Sequence, residues 1–63
     1  MENFKERLIK ERDELKEKHT KLNNFLLGDK TGTINHIQLS LLIDQKVIMY
    51  QYLCILNKRI ELL

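Results

Sequence analysis

Polar side chains suited to ligand binding repeat at seven-residue intervals along the second half of the chain: Gln38, Gln45, Tyr52 and Arg59. Seven residues are close to two turns of α-helix, so these side chains lie along one line of a helix. Apolar residues flank the line on both sides. A guanidinium binds phosphate and an aromatic ring stacks on a base, so the line is typical of a site for an anionic ligand that carries a ring. The alternative is a polar seam between subunits, satisfied by hydrogen bonds between chains.

Two more candidates come from the first half of the chain. If the chain folds as an antiparallel helical hairpin, a residue of the first helix and the residue of the second helix that lies beside it have numbers that add to roughly 62. Arg7 and Glu11 then lie near residues 51–55 of the second helix. The candidate ligand-binding residues are therefore Arg7, Glu11, Gln45, Tyr52 and Arg59, of which all but Gln45 are predicted to converge at one end of the hairpin.

The elements that position these residues are predicted from capping and turn signals. Asn3 followed by Glu6 resembles a capping box, and no proline follows, which predicts a helix over about residues 4–27. The turn formers that follow, including both glycines, predict a turn over about residues 28–34. Thr33 or Asn35 then caps a second helix over about residues 35–62. The predicted fold is all-α, a single two-helix antiparallel hairpin covering residues 1–63.

The two helices differ in how much apolar surface they carry. The first has one narrow stripe, formed by Phe4, Leu8, Leu15, Leu22, Phe25 and Leu26. The second has three apolar sets. Two are parallel stripes at seven-residue spacing: the first is Ile34, Leu41, Ile48, Ile55 and Leu62, and the second is Leu42, Met49, Leu56 and Leu63. The third is a band that includes Ile43, Val47, Tyr50, Leu53, Cys54 and Ile60. A helix that is apolar nearly all round is buried nearly all round, and one narrow stripe is too small to cover it. The sequence therefore predicts a homo-oligomeric helical bundle, with an even number of subunits because antiparallel hairpins pair in twofold dimers.

Charge and composition set several partner classes aside. The net charge of +2 comes from interleaved acidic and basic residues, which predicts no binding to DNA. Polar residues interrupt the apolar stretch over residues 41–63, which predicts no membrane span. The chain opens with charged residues rather than an apolar signal core, and its single cysteine suits a reducing compartment, so we expect a cytoplasmic protein.

The sequence also lacks the residue sets that catalysis requires. His19 and His36 have no Cys or His at ligand spacing, which predicts no metal site. No nucleophile–base set and no glycine-rich phosphate loop occurs. We therefore expect a non-enzyme without a cofactor.

Each arm of the predicted hairpin carries an extended pattern of charged and apolar residues. Residues 6–26 match the pattern E-R-L-x-x-E-x-x-E-L-x-x-K-x-x-K-L-x-x-F-[IL]. Residues 41–60 match L-L-x-x-Q-x-x-x-M-x-x-Y-x-x-x-L-x-x-R-[IL]. These two patterns resemble those of a family of small phage proteins first catalogued in crAss-like phages. The resemblance spans nearly the whole chain and implies a phage or prophage origin.

The chain also resembles, more distantly, the anti-CBASS and Thoeris anti-defence sponges, helical oligomers that sequester cyclic nucleotide or cyclic ADP-ribose signals. Those proteins assemble as hexamers and bind ligands between subunits, so the resemblance implies a hexameric sponge in the cytoplasm of an infected bacterium. Because this chain has no element beyond the hairpin, cyclic di- and trinucleotides held on a symmetry axis are the ligands favoured. The alternative is a phage protein-interaction or structural module without a small-molecule ligand. A DNA-binding regulator is disfavoured, because the second helix has no row of basic residues.

Overall fold

The computed structural model describes residues 3–63, which form two long helices joined by a short one. Helix α1 spans Phe4–Leu26, a 3-10 helix spans Asp29–Thr33, and α2 spans His36–Glu61. Within residues 3–63 there is no strand. The helices pack against each other in an antiparallel hairpin, which confirms the predicted all-α class. Residues 1 and 2 of the predicted single domain lie outside the described residues.

Local capping signals determine where both helices begin. The Glu6 backbone N–H donates to Asn3 Oδ1 at 2.8 Å, and the Asn3 N–H donates to Glu6 Oε2 at 3.4 Å, so the predicted capping box is present. Asn35 caps α2, accepting a hydrogen bond from the Ile37 N–H at 2.8 Å. Thr33, the other candidate cap, instead donates its hydroxyl to the Lys30 carbonyl at 2.7 Å within the 3-10 helix. Each cap satisfies backbone donors that the first helical turn leaves free.

The predicted turn is largely a 3-10 helix, and neither of its glycines has a positive φ. We therefore expect Gly32→Ala to stabilise the protein by about 0.4–1 kcal/mol, because alanine restricts the unfolded chain more than glycine does. A Cβ built at Gly32 meets no heavy atom within 4 Å. Urea unfolding at fixed protein concentration measures the change.

Gly28→Ala is the matched comparison for Gly32→Ala. A Cβ at position 28 would lie 3.4 Å from the Phe25 carbonyl oxygen, so a smaller gain in stability is expected for Gly28→Ala. A loss of stability in Gly32→Ala would contradict the prediction and show that the loop requires glycine at this position.

The seam between the helices has the 3-4 spacing of a coiled coil. Among residues 3–63, its buried side chains are Leu8, 4% exposed, and Leu56, 0% exposed. Partly buried residues continue the seam as Arg12, Leu15, His19, Leu22 and Leu26 on α1 and as Leu39, Leu42, Lys46, Met49, Leu53 and Ile60 on α2. Cationic side chains lie within this seam beside leucines, because their long apolar stems pack while their charged ends reach water.

Two members of the predicted α1 stripe do not lie in the seam. Phe4 is 54% exposed and Phe25 is 36% exposed. Phe25 lies about 100° around α1 from Leu26, which faces α2. Phe4 is the first residue of α1 and lies level with Arg59, so only the last turn of α2 can cover it.

Helix α2 leaves much of its apolar surface uncovered by α1. The stripe Leu42, Met49 and Leu56 faces the seam. The neighbouring residues Leu41, Ile48, Ile55 and Leu62, called the outer stripe below, are 55%, 63%, 57% and 74% exposed. The chain exposes 5211 Å² in total, against about 4,300 Å² for a compact monomer of 7.6 kDa. A single chain therefore does not bury α2, and the predicted homo-oligomer stays a prediction that this surface motivates.

Helix α2 also meets the length and composition of a membrane span, with a mean hydropathy of 1.3 over its most apolar window. Only 6% of that window is buried within the single chain. A helix buried in a protein assembly has the same composition, so length and hydropathy alone do not distinguish lipid from protein as the covering. The expectation that the chain does not span a membrane stays a prediction.

Candidate functional site

A groove of about 210 Å³ lies at the open end of the hairpin, opposite the 3-10 helix. It is lined by Phe4, Arg7, Leu8, Glu11 and Arg59. The α1 residues follow the spacing of one helix face, and Arg59 closes the groove from the last turn of α2. The site therefore depends on the antiparallel pairing of the two helix ends.

Glu11 connects the groove to α2. The Tyr52 hydroxyl donates a hydrogen bond to Glu11 Oε1. This hydrogen bond is the main cause that raises the pKa of Tyr52 above its usual 10.0, aided by desolvation and by the negative charge of Glu11, while Arg59 acts in the opposite direction. At neutral pH, Tyr52 is therefore a protonated donor that holds the Glu11 carboxylate beside the groove.

Arg59 lies over an aromatic ring. Its guanidinium carbon is 6.0 Å from the centroid of Phe4, at the outer limit of a cation–π contact. In the part of the chain that the structure describes, neither Arg7 nor Arg59 has a carboxylate oxygen within 4.0 Å of its guanidinium. Two guanidiniums therefore border the groove with hydrogen-bond donors available to an anion.

Arg12 differs from Arg7 and Arg59 because its guanidinium is already bonded. Its Nη1 donates to Asn57 Oδ1 at 3.1 Å, and its Nε lies 2.7 Å from Asp13 Oδ1. The bond to Asn57 ties α1 to α2 on the other edge of the seam, whereas the contact with Asp13 lies within α1. Arg12 thus holds the helices in register.

The structure brings four of the five predicted site residues to one end of the hairpin. Arg7, Glu11 and Arg59 line the groove, and Tyr52 reaches it through Glu11. The Glu11–Tyr52 and Phe4–Arg59 contacts each lie one residue from the predicted register. Gln45 lies two helical turns away from Tyr52, roughly 10 Å along α2, and its amide donates to Met49 Sδ at 3.8 Å. Within one chain, Gln45 is separate from the groove.

Sequence reasoning missed the apolar walls of the groove. Residue type and helical spacing alone predict that Phe4 and Leu8 belong to the core stripe of α1. Leu8 is buried as expected, but it also forms a wall of the groove. The predicted hairpin register is the signal that identifies Phe4 as a groove residue, since it places this ring beside the last turn of α2.

A second concavity, of about 510 Å³, lies along α1 and is lined by Asp13, Lys16, Glu17, Thr20 and Lys21. All of these residues belong to one helix, so the concavity has no opposing wall. Glu17 and Lys21 pair with each other at 3.1 Å. We interpret it as a solvated helix surface rather than a site.

A helical hairpin that brings two guanidiniums, a carboxylate and an aromatic ring around an open groove has the features of a small binding protein. Within residues 3–63, no cluster of three His, Cys, Asp or Glu side chains is arranged to hold a metal ion. The chain belongs to the Sequestin family, whose model matches residues 2–62. The family name indicates a sequestering role, which is binding rather than catalysis. No curated protein and no solved structure is significantly similar to the chain.

The Tyr52–Glu11 contact has a measurable pH signature. In a Tyr50→Phe variant, Tyr52 is the remaining tyrosine, so tyrosinate absorbance reports its pKa alone. We expect a midpoint above 10.0, since the raised pKa reflects stabilisation of the neutral phenol in the folded state. The stability from this contact is present below the unfolded-state pKa of about 10 and is lost as the pH rises through the folded-state pKa.

Glu11→Ala in the same Tyr50→Phe background is the control for this titration. It removes both the acceptor and the negative charge, so the Tyr52 midpoint should fall. An unchanged midpoint would show that Glu11 does not hold Tyr52 in solution.

Proposed function

We propose that the protein is a non-enzymatic phage sponge that sequesters cyclic nucleotide immune signals between subunits of a homo-oligomer. The ligands proposed are cyclic di- and trinucleotides, captured in the cytoplasm of an infected bacterium so that host anti-phage signalling is blocked. The observation that carries the proposal is the groove in which Arg7 and Arg59, without carboxylate partners among the described residues, lie beside the Phe4 ring. Membership of a family named for sequestering supports it.

The chemistry of the groove matches the parts of a nucleotide. Arg7 and Arg59 offer planar donors to phosphate oxygens, with about 1.5–3 kcal/mol for each charge-assisted bond. The exposed Phe4 ring offers a stacking surface for a base. Glu11 retains oxygens that accept hydrogen bonds from a ribose hydroxyl or a base N–H.

One groove is too small to enclose such a ligand. Its volume of about 210 Å³ is below the roughly 300–1,000 Å³ typical of ligand pockets. A symmetric assembly repeats the groove and its guanidiniums, so several phosphates of one cyclic ligand can each meet an arginine. Helix α2 also exposes apolar residues on a second side, at Ile43, Val47 and Tyr50, and this second surface supports contacts with further subunits, as in the hexamer that we propose.

Competition with a host receptor sets the affinity required. Nanomolar binding corresponds to about −12 kcal/mol, which three charge-assisted contacts plus burial of the bases can supply. Catalysis has no part in sequestration. The bound nucleotide should therefore be released chemically unchanged when the protein is denatured by heat.

Calorimetry against a panel of ligands tests the proposal. The panel contains cyclic di- and trinucleotides, with cyclic ADP-ribose and a linear mononucleotide as comparisons. We expect nanomolar binding of at least one cyclic di- or trinucleotide and weak binding of the mononucleotide. No cyclic di- or trinucleotide bound more tightly than about 10 μM would reject the proposal, since host receptors would win the competition.

The exposed outer stripe favours a second candidate function. A surface of large apolar side chains is typical of protein contacts, so the protein could act through a host or phage protein without a small-molecule ligand. A pulldown with the purified protein, repeated with an Ile48→Glu variant, separates this function from ligand capture. Recovery of a defined partner by the first protein alone, with no ligand binding in calorimetry, would support it.

A further inference from the structure

We propose that two copies of this chain pair antiparallel through the outer stripe of α2, about a twofold axis near Gln51, and that this pairing brings Gln45 to the partner's groove. The second half of the proposal rests on the proposed function. The pairing itself rests on how apolar and charged residues are distributed along α2.

The apolar part of the surface is self-complementary in an antiparallel pair. Each residue of the outer stripe is more than half exposed in the single chain. In an antiparallel pair, Ile48 lies level with the partner's Ile55, and Leu41 lies level with the partner's Leu62. Both pairs are symmetric about a point between residues 51 and 52. In the antiparallel orientation, the stripe buries itself completely only when its two copies share that centre.

A charged line beside the outer stripe has its centre at Gln51, half a residue from the centre of the stripe. Asp44, Gln51 and Lys58 follow one another at seven-residue intervals, and all are exposed. Parallel pairing in register would place this charged line beside the other copy's polar line, with Lys58 within one residue of the level of the partner's Arg59, which is a like-charge contact. Antiparallel pairing about Gln51 instead places Asp44 level with the partner's Lys58, twice in each dimer. Charge complementarity therefore favours the antiparallel orientation.

The contact that Lys58 makes within its own chain does not prevent this pairing. Its Nζ lies 3.7 Å from Glu61 Oε1, with both side chains about two-thirds exposed at 65% and 69%. Exposed helix pairs of this kind are weak and exchange readily. The ammonium remains accessible to Asp44 of the partner subunit.

The polar line formed by Gln38, Gln45, Tyr52 and Arg59 lies next to the outer stripe, so pairing brings polar side chains of one copy towards the ligand site of the other. Gln45 and Arg59 are symmetric about Tyr52, half a residue from the centre of the outer stripe, so in the antiparallel pair Gln45 lies within one residue of the level of the partner's Arg59. A twofold axis perpendicular to the two α2 helices places the polar lines of both copies on the same side of the interface between the copies. Gln45, which lies apart from the groove of its own chain, thereby borders the groove of its partner.

Charge exchange tests the pairing without any ligand. Asp44→Lys and Lys58→Asp each create two like-charge contacts per dimer, so sedimentation at low salt should show self-association weakened about tenfold for each. The double variant Asp44→Lys/Lys58→Asp restores both contacts and should associate as the unmodified chain does. An equimolar mixture of the two single variants should recover association as a heterodimer.

Two results would overturn the pairing. Single variants that associate as tightly as the unmodified chain would show that Asp44 and Lys58 do not face each other. Unmodified chain that floats with phosphatidylcholine/phosphatidylglycerol vesicles, and stays monomeric without them, would show that lipid covers α2.

The contribution of Gln45 to the site is tested by Gln45→Ala. Ligand affinity should fall while sedimentation stays unchanged. Unchanged affinity would remove Gln45 from the site and leave the pairing intact. If no cyclic nucleotide binds the unmodified chain, the proposed function fails, and the charge-exchange result still decides the pairing.

Discussion

Replacing Ile48 with glutamate is expected to dissociate the assembly or unfold the protein. Ile48 is 63% exposed in the single chain, so in a monomer the substitution would lie in water and cost little. In an assembly covered through the outer stripe, the new carboxylate is buried without a partner, at about 3–5 kcal/mol for each subunit. A loss of stability in the Ile48→Glu variant would therefore show that another chain buries residue 48. Sedimentation and thermal unfolding at micromolar concentration measure both outcomes.

Thr20→Glu is the matched control for Ile48→Glu. It adds the same charge at an exposed position of α1, away from the outer stripe, and should leave assembly and stability nearly unchanged. A folded, stable monomer of 7.6 kDa for the unmodified chain would contradict the predicted oligomer.

Replacing Arg59 or Arg7 with alanine is expected to weaken ligand capture strongly while the assembly stays intact. Loss of one charge-assisted contact of about 1.5–3 kcal/mol raises the Kd about 10- to 150-fold. Arg59 also lies in the last turn of α2, where a cation favours the helix dipole by about 0.3–1 kcal/mol, so a small fall in melting temperature is expected as well. Calorimetry and sedimentation on the same samples separate the two effects.

Lys10→Ala and Arg59→Lys complete this experiment. Lys10 is an exposed cation of α1 outside the groove, so its removal should leave affinity unchanged. Arg59→Lys keeps the charge but loses the planar fork, and an intermediate affinity is expected. If Arg59→Ala and Tyr52→Ala lower only the melting temperature and leave affinity unchanged, these residues have a structural role.

Some features of the protein follow from sequence alone because they are local. The capping box at Asn3 and Glu6 involves atoms within one turn of helix, so residue type and spacing predict it. The excess of apolar residues on α2 follows from helical periodicity in the same way. Helix lengths and a short turn also predict the register, to within one residue at the Glu11–Tyr52 contact on one edge of the seam. On the other edge, the Arg12–Asn57 contact lies seven residues from that prediction.

Other features were decided only by the tertiary structure. Periodicity shows that α2 has several apolar stripes, but which stripe faces α1 depends on the rotation of α2 about its own axis. Packing sets that rotation: it buries Leu56 and leaves Ile48 exposed. The exposure of Phe4 depends on where α2 ends relative to the start of α1, and so does the groove that it forms with Arg59. Helical spacing describes each helix separately, whereas burial and the groove are properties of the pair.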